Sequence, residues 1–298
     1  MWHAILVLWG AWAVEIHAWR DAQAVWSVAL RQWILLITHN MSPLVQFGIF
    51  LFPSYSAMTV IGICGALIMA YYRNLKYQLS WKQYVVNILA SLLGVFLGSR
   101  LLFIITKLPE LFNNFSLKNA LYVLLNGGFV FYGGLFGALA ALKICALITH
   151  NDRKMVYNLF VPSFILFHAF GRIGCFLAGC CYGIESPFGF EMLTSPGVIR
   201  FPVQLAESVC DILILVVILI IEKKKGTQTD LLRIYMVSYA VCRFLLEFLR
   251  GDEIRGHFLC FSTSQWIALG VLTFYSVKFL IDWHKKNTSP LSQKSGIR

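Results

Sequence analysis

Charge is scarce in this chain: 13% of its 298 residues are charged and 14 are acidic, while 58% are hydrophobic. Soluble domains run at about 45–50% apolar and about 25% charged, so a water-soluble globule is excluded and the bilayer is the solvent. Also missing is a basic stripe with interleaved aromatics, and the net charge of +11 therefore does not point to nucleic acid. The Lys and Arg residues fall instead in short clusters between apolar runs, which is the positive-inside pattern. A secretory leader is absent from residues 1–40, which hold Trp2, Trp9, Trp12, Trp19, Trp26 and Trp33 but no basic start and no small-residue cleavage site. Four of the eight cysteines, Cys64, Cys145, Cys210 and Cys242, lie singly in apolar runs, where Cys behaves as a small hydrophobe.

What the chain does have is apolar runs near the ~20 residues needed to cross the hydrocarbon. They fall at 52–72, 84–106, 130–149, 157–179, 208–222, 231–249 and 264–283, the fifth extendable from Pro202. Arg73 and Lys76, Arg153 and Lys154, Lys223 to Lys225, and Lys285 and Lys286 follow the odd-numbered spans, which puts those ends in the cytoplasm. The expectation is an all-α polytopic membrane protein. It has seven core transmembrane helices, its N-terminus outside, its C-terminus cytoplasmic, and an additional N-terminal segment. Residues 1–40 read as an extension or accessory helix, with an eighth membrane segment as the alternative, and 41–298 as the seven-helix domain.

Ionisable residues inside spans are costly and mark function or a buried partner. Arg100, Arg172 and Arg243 are such residues, and Arg243, Glu247 and Arg250 share one helical face at i, i+4, i+7. An Arg243–Glu247 pair would leave Arg250, Arg172 and Arg100 seeking an anion, and Arg suits bidentate phosphate recognition. In a bilayer that anion is a phospholipid headgroup; snorkelling to the interface is the other reading for Arg250 and Arg100. Gly94 with Gly98, and Gly133 with Gly137, have the spacing of close helix contacts. Gly127, Gly128, Gly133 and Gly134 around Tyr132, and Gly171, Gly174, Gly179 and Gly183 around Arg172, are expected to leave room for a headgroup.

Six segments then carry a resemblance. GRIGCFLAGCCYG, Gly171 to Gly183, is similar to the signature G-R-x-G-N-F-x-N-x-E-x-x-G of the prolipoprotein diacylglyceryl transferase family. In matching order, FPSYSAM around Tyr55 and GSRL around Arg100 resemble the family's first-span tyrosine and second-span arginine segments. GGFVFYGGLFG around Tyr132 resembles its G-G-x-x-x-H-G-G-L-x-G turn. FPVQLAE, with Gln204 and Glu207, and RFLLEFLRGD, Arg243 to Asp252, resemble its H-P-x-Q-L-Y-E and R-x-x-x-E-F-x-R-x-x-D segments. The likeness runs from about Met41 to the C-terminus. Tyr132 stands at the family's histidine, Cys175 and Ala178 at its two asparagines, and Cys180 at its glutamate.

The resemblance implies transfer of the diacylglyceryl group of phosphatidylglycerol to the lipobox cysteine thiol of secreted preproteins, releasing glycerol phosphate. It implies no cofactor, and a site opening to the outer face of the bacterial cytoplasmic membrane. Arg172 and Arg243 would stabilise the phosphate leaving group, with Glu247 orienting Arg243. Tyr132 occupies the position that forms the thiolate, for which His168, Glu207 or the arginine field itself are alternatives. Tyr55, Arg100, Gly133, Gly134, Cys175, Gly183, Gln204, Glu207 and Arg250 would line the substrate site. The departures leave two further readings: a relative with another acceptor, or a non-catalytic phospholipid binder. No metal is expected, because Arg172 shares a face with His168 and Cys175 and would repel a cation; Cys175, Cys180 and Cys181 remain candidates for a disulfide or redox role.

Overall fold

The computed structural model describes residues 44–47, 50–113, 116, 123, 128, 130–192, 195–252 and 257–288. Residues 1–40 and the boundary at Met41 lie outside them. Among the described residues seven helices follow one another: α1 (Ser54–Tyr77), α2 (Trp81–Asn113), α3 (Phe131–Ile148), α4 (Arg153–Leu177), α5 (Val203–Lys225), α6 (Leu231–Leu246) and α7 (Thr263–Thr288). All but α6 are long and apolar enough to cross a membrane; α6 has 16 residues and continues into a 3-10 turn, Glu247–Leu249. Helices are the expected solution, since in lipid each backbone N–H and C=O must be satisfied within its own segment. The fifth helix does begin directly after Pro202, as the sequence allows.

Three small antiparallel hairpins add strand to the helical plan. They are β1 (Leu44–Phe47) with β2 (Phe50–Pro53), β3 (Glu185–Met192) with β4 (Ser195–Arg200), and β5 (His257–Phe258) with β6 (Phe261–Ser262). Each precedes a helix that enters from the same end of the bundle, so they collar that end.

Helix α4 is the axis: over half of its apolar stretch, 56%, is buried, against 6% for α2 at the periphery. Its partners include α1 and α5. One core cluster, with Leu135, Ile165, Ile214, Ile218 and Tyr235, joins α3 to α6; another, with Ala70, Tyr84, Leu142 and Leu159, joins α1 to α4. The α2–α3 contact is made by backbone. A Cβ on Gly94 would overlap the Gly137 carbonyl, and one on Gly98 that of Gly133, so the small residues let two helices touch directly.

Arg73 is not the solvated loop charge that its place after the first apolar run suggests. It is buried in α1 and grips Glu222 of α5 with both terminal nitrogens, at 2.9 and 3.0 Å, while Tyr77 also donates to Glu222. Pro162 in α4 has no N–H to offer the carbonyl of Asn158, four residues back. Arg73 Nη2 donates to that carbonyl at 2.6 Å and fills the missing bond. The Asn158 side chain in turn donates to the Thr227 and Thr229 carbonyls and accepts from Leu231 N, fastening the α5–α6 turn to α4. Nor are the single cysteines uniformly buried: Cys145 is, but Cys64 is exposed on α1.

Candidate active site

At the opposite end of the bundle from Arg73, α4 and α5 run antiparallel and present ionisable residues one helical turn apart. Arg172 Nε lies 2.5 Å from Glu207 Oε2, and one turn deeper His168 Nδ1 lies 2.8 Å from Asp211 Oδ2. All four residues are buried. Glu207 is the convergence point: Arg243 Nη1 of α6 contacts its Oε1, and Arg250 Nη1 reaches the same oxygen at 3.2 Å. Three arginines from two helices and the segment after α6 thus meet on one carboxylate.

The expectation that Arg172 and Arg250 lack an anion is therefore corrected. Sequence spacing finds only i, i+4 partners on the same helix, and Glu207 comes from another. Arg250 is also held by Asp252 through Nε at 2.9 Å and Nη2 at 2.8 Å. Burial works against its charge, but the Asp252 hydrogen bond and the Glu207 carboxylate keep its pKa above the ordinary value. The pair read from the sequence is present too, with Arg243 Nη2 2.6 Å from Glu247 Oε2. Ser264 Oγ accepts from the same nitrogen at 3.2 Å, and Ser262 donates to Glu247 at 2.8 Å.

The arginines differ in what they have left to offer. Arg243 and Arg250 spend both terminal nitrogens on Glu207, Glu247, Ser264 and Asp252. Arg172 meets Glu207 through Nε alone, and among the described residues its terminal nitrogens carry no ion pair. A Cβ on neighbouring Gly171 would meet nothing within 4 Å.

Several buried polar groups lie deeper. His168 Nε2 and the Tyr239 hydroxyl are buried without a hydrogen bond among the described residues, and their rings meet edge to face at 5.4 Å. Phe131 stacks on His168 at 4.5 Å, and Tyr132 adjoins Phe131.

The remaining expected residues separate into the rim and the scaffold. Tyr55 opens α1 and lies against Gly174, near Arg172 and Cys175. Gly133 and Gly134 face α2, where a Cβ would meet Leu102, at 2.7 Å, and Ser99 Oγ, at 2.6 Å, so both pack the two helices together. Gly183 forms an isolated bridge with Arg250, and Gly251 N donates to the Tyr182 carbonyl at 3.0 Å, so the loops after α4 and α6 are zipped together. Gln204 is fully buried and donates to the Cys180 carbonyl at 2.7 Å. Arg100 is half-buried on α2. Cys175, Cys180 and Cys181 gather at the mouth without a disulfide between them, their sulfurs all within 4.8 Å of one another. Hydrogen bonds from Cys175 and Cys180, with Arg250 and Arg172 nearby, hold the Cys181 thiol well below its usual range.

Asp211, Tyr239, Ser264 and Asp252 were not singled out from the sequence. Asp211 had a readable signal, an ionisable residue in the middle of an apolar run and four residues from Glu207.

Comparison with known proteins places the chain in a family. Residues 43–281 match the family model described as prolipoprotein diacylglyceryl transferase. A phosphatidylglycerol–prolipoprotein diacylglyceryl transferase of Clostridium tetani is 32% identical over 247 residues, 80% of this chain and 96% of the relative. One from Clostridium perfringens, with the same name and the number 2, is 32% identical over 233 residues, 76% and 89% respectively. Another from Polynucleobacter asymbioticus is 29% identical over 240 residues, 76% and 90% respectively. The chain belongs to the prolipoprotein diacylglyceryl transferase family.

Proposed function

We propose that this protein transfers the diacylglyceryl group of phosphatidylglycerol to the cysteine thiol of prolipoproteins, at the end of the bundle where Arg172 meets Glu207. Arg172 carries the reading: it meets Glu207 through Nε alone while Arg243 and Arg250 brace the same carboxylate, which keeps a guanidinium at membrane depth, where charge persists only with a partner or a task. The thiolate sulfur attacks the glyceryl carbon that bears the phosphate. The carbon–oxygen bond breaks, its electrons leave with glycerol phosphate, and a thioether remains on the acceptor.

Arg172 takes the phosphate. Its terminal nitrogens match two phosphate oxygens, and a fixed cation in a dry site stabilises charge as it develops on the leaving group. Arg243, with its fork already engaged, holds Glu207 and through it the aim of Arg172; Glu247 and Ser264 keep Arg243 in place. Arg250 and Asp252 brace the same carboxylate from the loop side.

Thiolate formation falls to His168. Glu207 is already engaged by three arginines, whereas Asp211 contacts His168 at Nδ1 and leaves Nε2 for the thiol proton. Tyr132 and Tyr239 line the way to it.

All seven helices span the membrane, α6 with its 3-10 turn. Lys76, Arg153, Lys154, Lys223 to Lys225 and Lys285 occupy the end away from the site, which supports a cytoplasmic placement for that end. The site then opens to the outer face of the bacterial cytoplasmic membrane, where secreted preproteins emerge. The test is release of glycerol phosphate from phosphatidylglycerol by the purified full chain. Release is expected with a lipobox peptide and not with its Cys→Ser analogue. Lipid binding without release would mean a binder, and release with some other acceptor a different transferase.

A further inference from the structure

We infer that Cys175, Cys180 and Cys181 form a three-thiolate site for a thiophilic d10 metal ion, zinc or a softer member of that class. Their three sulfurs lie within 4.8 Å of one another. A metal–sulfur bond of about 2.3 Å sets sulfurs on a shared ion roughly 4 Å apart, so closing the site needs less than about 1 Å of movement. No other group of three or more metal-ligating side chains gathers this way among the described residues.

The backbone already holds the set together. Helix α4 ends at Leu177, and left-handed residues at Gly179 (φ +69°) and Cys181 (φ +59°) turn the chain back over Cys175. Cys180 N donates to the Cys175 carbonyl at 3.1 Å, Gln204 donates to the Cys180 carbonyl at 2.7 Å, and Cys180 Sγ points to the Cys175 carbonyl at 3.6 Å. Gln204 is buried on α5, so the loop is pinned by a second helix. Cys180 is exposed and its two neighbours partly so, which gives an ion access and leaves an open coordination position for water.

The objection from Arg172 reverses once ligand charge is counted. Three thiolates around a divalent ion carry a net charge of −1, which Arg172 and Arg250 stabilise; both lie within electrostatic reach of Cys181. Binding is a ligand exchange in which thiol protons pass to water, so neither oxidant nor reductant is required. Cys175 and Cys180 stand where the family resemblance places asparagine and glutamate, so this ligand set is a departure from that signature. A disulfide is the weaker use of the same residues: adjacent cysteines bridge only with strain, and any single bridge leaves a third thiol beside it.

The test is titration of the full chain in detergent, reduced and then freed of reductant under anaerobic conditions, with Cd(II) as the probe. Thiolate-to-metal charge-transfer absorbance should saturate at one equivalent and fall when Zn(II) competes. A variant with Cys64, Cys145, Cys210, Cys242 and Cys260 replaced by alanine should keep it, and Cys180→Ser/Cys181→Ser should lose it. Because the serine variant could disturb the loop, wild-type protein is also alkylated with maleimide with and without Cd(II), and the peptides are weighed. Protection confined to Cys175, Cys180 and Cys181 is expected. Absence of a one-equivalent signal, its survival in the double-serine variant, or equal alkylation with and without metal would overturn the inference. So would a disulfide between any two of the three in protein alkylated at the moment of cell lysis.

Discussion

Replacing Glu207 with glutamine tests the keystone of the site, because shape is nearly conserved and only the charge is lost. Arg172 would then have no ion pair among the described residues, Arg243 would keep Glu247, and Arg250 would keep Asp252. Breaking a buried pair by removing one partner costs about 3–5 kcal/mol, because the surviving charge stays buried and uncompensated. Glu207→Gln should lose about that much, with most of the loss assigned to Arg172. A double variant that also carries Arg172→Met removes the stranded charge and should recover part of the loss, so the two changes are non-additive. Reversible unfolding in mixed micelles measures each free energy. A single variant within about 0.5 kcal/mol of wild type, or a double variant whose loss is the simple sum of the single ones, would refute the reasoning, since independent residues add within that margin.

Tyr132→Phe should lower transfer more than stability, since only a hydroxyl is removed, and Tyr132→His should be tolerated; equal turnover by the phenylalanine variant would take the hydroxyl out of the reaction. Gly94→Ala should cost about 1–3 kcal/mol by overpacking, because its methyl would lie against the Gly137 carbonyl and 2.9 Å from the Ala141 Cβ; unchanged unfolding would mean that α2 and α3 are not in backbone contact. Glu222→Gln should destabilise the chain while the folded fraction keeps its transfer rate, because Arg73 and Glu222 lie at the end away from the site; a rate loss in fully folded protein would contradict that separation.

The helices were legible because hydrocarbon thickness and hydropathy set their lengths directly. Each apolar run lies within a few residues of a helix, and the fifth starts at the proline where the sequence allows it. What failed to read out is what depends on pairing across the bundle. Arg73 looked like a loop charge because it follows an apolar run, yet its partner, Glu222, is 149 residues away. Glu207 looked like one of several substrate-binding residues, and only the antiparallel register of α4 and α5 makes it the meeting point of three arginines. Gly133 reads as a helix contact from its spacing to Gly137, and its Cβ direction does run into the α2 backbone at Gly98. The arginines could be found by their cost in a membrane, but which of them retains a free fork is a matter of geometry alone.

The central claim is that Arg172 grips the phosphate of the donor lipid, and Arg172→Lys tests it most directly. Lysine keeps a positive charge beside Glu207 and gives up the planar fork. The variant should unfold as wild type does, while glycerol phosphate release with a lipobox peptide falls about 100-fold or more, the scale on which losing one preorganised donor is felt. Wild-type release by Arg172→Lys would show that charge beside Glu207 suffices and that Arg172 does not clamp the leaving phosphate.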